Sequence, residues 1–293
     1  MRVSLFHKIL PNFIRIPLAI LFRKTGISTA VQSALCKRKI KSLKKSFKPT
    51  QTDHSSSKIL IVCAHYNHLN WLPFCVESVI QQDHSNWQLI IVDDASPDPS
   101  TYEALKSISA KDARIKAIIL EENSGAYIAR NTALEAADPD WTHITFIDPD
   151  DQAHPTWLEH CLDVLGNSEG TVRPVLQRFD ESLTHLQSTY FGHCPSLHSR
   201  HAWERAGGFL PVRVSGDAEL TARLHRLATD GTTTVLKSFL PAQLCRTIPG
   251  SSSHQALRSR KLWLERRSVS LATQSAAELR TTPKTSPWQD CNP

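Results

Sequence analysis

Beyond residue 58 the apolar positions fall into short unbroken runs separated by stretches with helical spacing. "KILIVCA" (58–64), "WQLIIVDD" (87–94), "RIKAIILEE" (114–122) and "WTHITFID" (141–148) predict strands. Between them, "LNWLPFCVESVIQQ" (69–82), "STYEALKSISAKD" (100–112) and "GAYIARNTALEAA" (125–137) predict helices, and "PTWLEHCLDVL" (155–165) predicts one more. Near-continuous Ile/Leu/Val runs alternating with helices indicate a parallel sheet covered on both faces. From about residue 170 the pattern loosens. A helix over 217–231, a run "TTTVLKSFL" (232–240) and an amphipathic stretch over 254–279 complete the reading.

The polar, Ser-rich "KPTQTDHSSSK" (48–58) marks a linker, which divides the chain into three parts. These are a basic, partly amphipathic extension over 1–57, an α/β domain over 58–253, and a helix with a loose tail over 254–293. Charge supports the first division. Residues 1–50 carry twelve Lys or Arg and no Asp or Glu, so the other 243 hold 34 − 12 = 22 basic against 28 acidic side chains. "CKRKIKSLKKSFK" (36–48) sets Ile40, Leu43 and Phe47 among lysines and arginines, a pattern that suits an anionic membrane surface, with a solvated basic arm as the plainer reading. Without interleaved aromatics it is a poor nucleic-acid arm. The apolar run 10–22 is broken by Arg15, Pro11 and Pro17, is too short to span a bilayer, and reads neither as a secretory signal nor as an anchor. Seven scattered cysteines with no CxxC pair indicate free thiols in a reducing compartment.

Three predicted strands end in polar residues: Ala64, His65, Tyr66 and Asn67; Asp93, Asp94 and onward; and Asp148, Asp150 and Asp151. In an open α/β sheet, ligands bind outside the carboxyl ends of the strands. A dinucleotide or P-loop site needs a Gly-rich turn after the first strand, and no glycine occurs from residue 27 to residue 124. Phosphates bound here would be neutralised through the carboxylates instead. An oxygen-only donor set suits Mg²⁺ or Mn²⁺, with Asp148 and Asp150 on one side of an extended chain and Asp151 on the other. The competing reading is an acidic turn with Asp148 capping the helix that follows. "HCPSLHSRH" (193–201) holds His193, Cys194, His198 and His201, but in no common zinc spacing.

The stretch from 58 to about 165 resembles a family 2 glycosyltransferase with a GT-A fold. "AHYNHLNWLPFCVESVIQQDHSNWQLIIVDDASPDPS" follows that family's first two strands, "NSGAYIARNTALEAA" its Asn-x-Gly…Ala-Arg-Asn block, and "FIDPDD" its Asp-x-Asp motif. Downstream, "AWERAGGF" (202–209), "GDAELTARL" (216–224) and "CRTIPGSSS" (245–253) resemble the acceptor-side Gly-Gly-Phe, the catalytic-base segment and the late Arg-x-His-Pro-Gly-Ser loop. Two positions depart: Gly216 stands where Glu is usual, and Ile248 where His is common. Ala64-His65 also stands where a Pro is frequent.

The resemblance implies a single GT-A domain and an inverting transfer of sugar from a nucleotide-diphosphate donor. The acceptor would be a glycan or a lipid-linked hydroxyl at the cytoplasmic face of a membrane, with the enzyme peripheral there through residues 1–50. Ala64, Tyr66, Asp93, Asp94 and Arg130 would contact the nucleotide. Asp148 and Asp150 would hold Mn²⁺ or Mg²⁺, Asp148 and Asp151 would meet the nucleotide sugar, and Asp217 would be the general base, with Glu219 its fallback. An ion pair between Arg130 and an acidic strand end is the structural alternative for that residue. A catalytically silent sugar-nucleotide-binding subunit is the alternative for the whole chain.

Overall fold

Every residue of the first strand, β1 (Ile59–His65), is buried, and so is every residue of β2 (Trp87–Asp93). The reason is that both faces of the sheet are covered. Ile59, Ile61 and Cys63 pack into one core, while the alternating Leu60, Val62 and Ala64 pack into a second core on the other face. A strand with no solvent face has no polar positions to alternate, hence the unbroken runs.

The computed structural model describes residues 53–213 and 215–248. The basic extension over 1–50, the helix over 254–279 and most of the late loop lie outside the described residues. After β1 come α1 (Leu72–Ile80), β2, α2 (Thr101–Ser109), β3 (Ile115–Ile119), α3 (Ala126–Glu135) and β4 (His143–Phe146). Then follow β5 (Gln152–Ala153), α4 (Trp157–Leu165), β6 (Gly170–Phe179), β7 (Leu186–Phe191), β8 (Leu197–Ser199), α5 (Arg200–Ala206), α6 (Gly216–Thr229) and β9 (Thr234–Arg246). Helices α1 and α4 cover the first core and α3, α5 and α6 the second. None of the described helices is long and apolar enough to cross a membrane.

Nine strands form one sheet in the order β3-β2-β1-β4-β8-β6-β9-β5, with β7 paired to β6. The first four are parallel, as the alternating pattern predicts. The remainder is mixed: β8 runs antiparallel to both β4 and β6, β5 antiparallel to β9, and β9 parallel to β6. The chain winds outward from β1 to β3 and then crosses back to place β4 on β1's other side. That reversal opens a crevice above the carboxyl ends of β1 and β4, the place where open α/β sheets bind ligands.

Strand β9 begins where expected but runs on to Arg246, past Pro241. It tolerates the proline because the register breaks there: Arg173 pairs with Lys237 and Val175 with Pro241, so one residue of β6 faces three of β9.

Candidate active site

A cavity of about 730 Å³ lies over the crevice, within the range of a ligand site. Its walls include Ala64, Tyr66, Asp94, Arg130, Asp148, Asp150, Asp151 and Asp217, so the fold gathers all but one of the expected site residues around one space.

Asp93 is the exception. His65 Nε2 accepts the backbone N–H of His68, so its Nδ1 carries the proton and donates to Asp93 Oδ1 at 2.6 Å. Ser96 donates to the same carboxylate through its hydroxyl at 2.6 Å and its N–H at 3.0 Å. Asp93 is 1 % exposed and does not line the cavity. Its work is to lock together the turns after β1 and β2, where Asn67 and Ala95 both adopt left-handed backbone. Asp94 does face the cavity, with its carboxylate accepting the N–H groups of Ser124 (2.7 Å) and Gly125 (2.9 Å) at the start of α3. Gly125 adopts φ +96 there, which a side chain would resist. Tyr66 is 45 % exposed, leaving its ring open to the cavity.

The three aspartates after β4 separate by environment. Asp148 is half-buried and accepts from Arg130 Nη2 at 2.6 Å; it does not cap α4, which begins at Trp157. Arg130 is itself buried against Tyr127, Phe146 and Phe209, its guanidinium 5.4–5.8 Å from their ring centres. Asp151 turns the other way, accepting from Cys245 Sγ (2.7 Å) and the Arg246 N–H (3.2 Å) of β9. Burial pushes the Asp151 carboxyl well up, and Asp150 and Asp148 add to it; burial and then Asp148 raise Asp150 as well. The three do not converge on one point. Two carboxylates brought close, one of them penalised by burial and by its neighbour, form an oxygen-donor set whose repulsion a divalent cation would offset, so Asp148 and Asp150 fit such an ion.

Asp217 stands in the first turn of α6 and accepts the Tyr127 hydroxyl at 2.9 Å. The glycine before it explains itself: a Cβ on Gly216 would lie 2.9 Å from the Tyr127 ring. Gly216 makes room for the tyrosine that holds Asp217. Glu219 is not a base in waiting. It is 1 % exposed, and both its oxygens accept from Arg223 at 2.6 and 2.7 Å, which ties α6 to the carbonyls of Ala206 and Gly208.

Of the histidine cluster, His193 reaches the cavity, and the structure adds Thr221, Arg178, Tyr190 and Arg246, which sequence reasoning missed. Thr221 Oγ1 donates to the Asp217 carbonyl, so His193 Nδ1 must donate to that hydroxyl and Nε2 keeps its lone pair at the cavity wall. Arg178, bonded to the Tyr190 hydroxyl at 2.8 Å, and Arg246, 4.4 Å above the Trp71 ring, also line it. No local spacing marks these, because β6, β7 and β9 meet only in three dimensions. The histidine cluster disperses: His198 is buried on Thr171, His201 is exposed, and Cys194 lies 3.6 Å from Asp148. Among the described residues, the one group of three potential ligands that does converge is His54, Glu159 and Asp163, outside the cavity.

A stretch of 107 residues, 36% of this chain, is 38% identical to TuaG of Bacillus subtilis strain 168, named for teichuronic acid biosynthesis, and covers 41% of it. A second stretch, 41% of this chain, is 34% identical to a teichoic acid poly(glycerol phosphate) polymerase of Staphylococcus epidermidis and covers 16% of it. The chain thus spans less than half the length of these curated relatives. The fold matches that of S. aureus TarS 1-349 in complex with UDP-GlcNAc (TM-score 0.56, 15% identity, 66% of this chain and 60% of that one). It also matches the mannosyltransferase PcManGT of Pyrobaculum calidifontis in complex with GDP-Man and Mn²⁺ (TM-score 0.54, 17% identity, 89% and 76%). Both likenesses are of the GT-A fold. The sequence profile described as glycosyl transferase family 2 matches residues 60–191, from β1 through the aspartates after β4 to the end of β7. This segment of the chain belongs to glycosyl transferase family 2.

Proposed function

We propose that the protein is an inverting, metal-dependent glycosyltransferase acting in the synthesis of a cell-surface polymer. The observation that carries this reading is one cavity lined by both the Asp148–Asp150 carboxylates and the Asp217 carboxylate. The first pair suits a cation on a diphosphate, and the second suits proton removal from a hydroxyl. TuaG and the teichoic acid polymerase, whose names refer to wall polymers, support the polymer class.

The donor would lie over β1 and β2, its base against the exposed Tyr66 ring and near Asp94 and Ala64. Asp148 and Asp150 would hold Mn²⁺ or Mg²⁺, a Lewis acid that stabilises charge on a departing diphosphate. Arg130 balances Asp148 from behind, and Asp151, fixed to β9, sets the floor under the sugar. Asp217 takes the proton of the acceptor hydroxyl as that oxygen bonds to the anomeric carbon. The bond from that carbon to the diphosphate breaks on the opposite face, and the electron pair leaves with the phosphate. One displacement inverts the centre, so no enzyme nucleophile is needed. We place the enzyme in the cytoplasm, at the inner face of a membrane, with residues 1–50 adding an electrostatic hold.

The test is donor hydrolysis across UDP-, GDP-, dTDP- and CMP-sugars, with Mn²⁺ and with EDTA. Metal-dependent turnover of one donor, abolished in Asp150→Ala, is expected. Metal-independent binding without turnover, unchanged in that variant, would make the protein a silent binding subunit instead.

A further inference from the structure

The break in β9 has a consequence at the surface. Opposite the single Pro174 of β6, β9 supplies Ser238, Phe239 and Leu240, and the extra residues bulge outward. Ser238 stays buried and accepts the Leu240 N–H, which pins the bulge. Phe239 is 79% exposed and Leu240 39%, among the most exposed large apolar side chains described. Phe239 meets Phe191 edge to face at 5.3 Å, and Lys237 Nζ sits 5.0 Å over the Phe191 ring. Arg173 lies in register with Lys237, its guanidinium near His225 Nε2 (3.4 Å) and the Phe191 carbonyl. Neither Arg173 nor Lys237 has a carboxylate partner among the described residues. Bulges recur beside active sites and re-aim side chains, and a protruding aromatic near two cations without carboxylate partners is the composition of an interfacial contact. The patch also adjoins the cavity. Arg173 donates to the carbonyl of Phe191, whose chain neighbours Tyr190 and His193 line the cavity, and His193 is joined through Thr221 to Asp217.

We propose that this bulge is a bilayer-contacting surface: Phe239 and Leu240 enter the headgroup region of an anionic membrane while Arg173 and Lys237 pair with lipid phosphates. The contact stands independently of the proposed transfer reaction, which it needs only to say what the membrane presents. Charge complementarity selects the occupant, because a second copy of this patch would set like charges against each other.

The full chain is tested by co-sedimentation with vesicles of mixed phosphatidylglycerol and phosphatidylcholine. Phe239→Asp is expected to weaken binding about 10-fold while leaving soluble donor hydrolysis unchanged. Residues 1–50 also bind anionic lipid in our reading, so a second measurement isolates the bulge. In Phe239→Trp, brominated lipid chains are expected to quench emission beyond the level set by the seven native tryptophans. Unchanged binding in Phe239→Asp together with no added quenching in Phe239→Trp would overturn the proposal. Loss of a dimer in Phe239→Asp, with vesicle binding intact, would overturn it in favour of a second copy. Vesicle contact without donor turnover in the unmodified chain would remove the transferase reading and leave the surface standing.

Discussion

At the scale of single residues, the site runs on differences between chemically identical groups. Five aspartates line the cavity, and their partners set them apart: backbone N–H groups at Asp94, a guanidinium at Asp148, a thiol at Asp151 and a phenol at Asp217. Asp217 is the one held by a phenol hydroxyl, on a ring packed between Gly216 and Phe209. Asp217→Asn keeps the Tyr127 bond and removes the proton acceptor, so kcat should fall about 10²–10⁴-fold with donor KM little changed. Steady-state kinetics against a fixed acceptor reads both; an equal rise in donor KM would assign Asp217 to binding. The aspartates after β4 stood out as the polar end of an apolar run, whereas Asp217 was marked only by the resemblance of its segment to the family's. Asp93 and Asp94 were not separable in that way. They are adjacent on the chain, and only the pleat decides which one turns toward His65.

At the scale of elements, helices α3 and α6 are fitted to one another through the absence of a side chain. The Tyr127 ring lies against Gly216 and meets Phe209 at a tilt, ring centres 5.2 Å apart. A methyl group at position 216 has to displace that ring, which is held on its other side. Gly216→Ala should therefore cost about 1–3 kcal/mol of stability and reduce kcat, since the Tyr127 hydroxyl moves with the ring. Denaturant unfolding and kcat measured together check this; a fully active, equally stable variant would show that α6 can slide. The parallel strands could be read from sequence because burial on both faces writes itself into unbroken apolar runs. The sheet beyond β4 could not. Pro174 and Pro241 interrupt β6 and β9, and β7 has an almost wholly exposed surface, so neither period survives there.

At the scale of the whole molecule, burial of histidine sets a pH limit. Burial lowers His143, His154 and His160 to about 4 and His198 to about 3. Each titrates near 6.5 in an unfolded chain. The folded values lie below the unfolded one, so this stability is complete above about pH 6.5 and is lost as pH falls toward 4, where the unfolded chain binds protons the folded one refuses. Asp150 and Asp151, raised by burial, act with the opposite sign and blunt the loss, while burial of His65, His193 and His225 adds to it. The denaturant midpoint should fall steeply across that window; a flat midpoint would mean that these imidazoles reach water in the folded state.

The position of β9 has a bearing on time as well as on space. It is the last described strand in the chain, yet it lies inside the sheet, between β6 and β5, and its Cys245 reaches back 94 residues to Asp151. The first half of the sheet, β1 to β4, pairs within residues 59–146 and needs nothing from β9. The floor of the cavity has to wait for residue 246. Until then β6 offers a bare edge and Asp151 has no donor. A nascent chain can therefore have half its sheet paired and still lack the closed cavity, and a cut shortly before β9 is expected to leave the β6 edge and part of the core uncovered. The cavity is thus completed late in synthesis, when the last described strand takes its place between two already present.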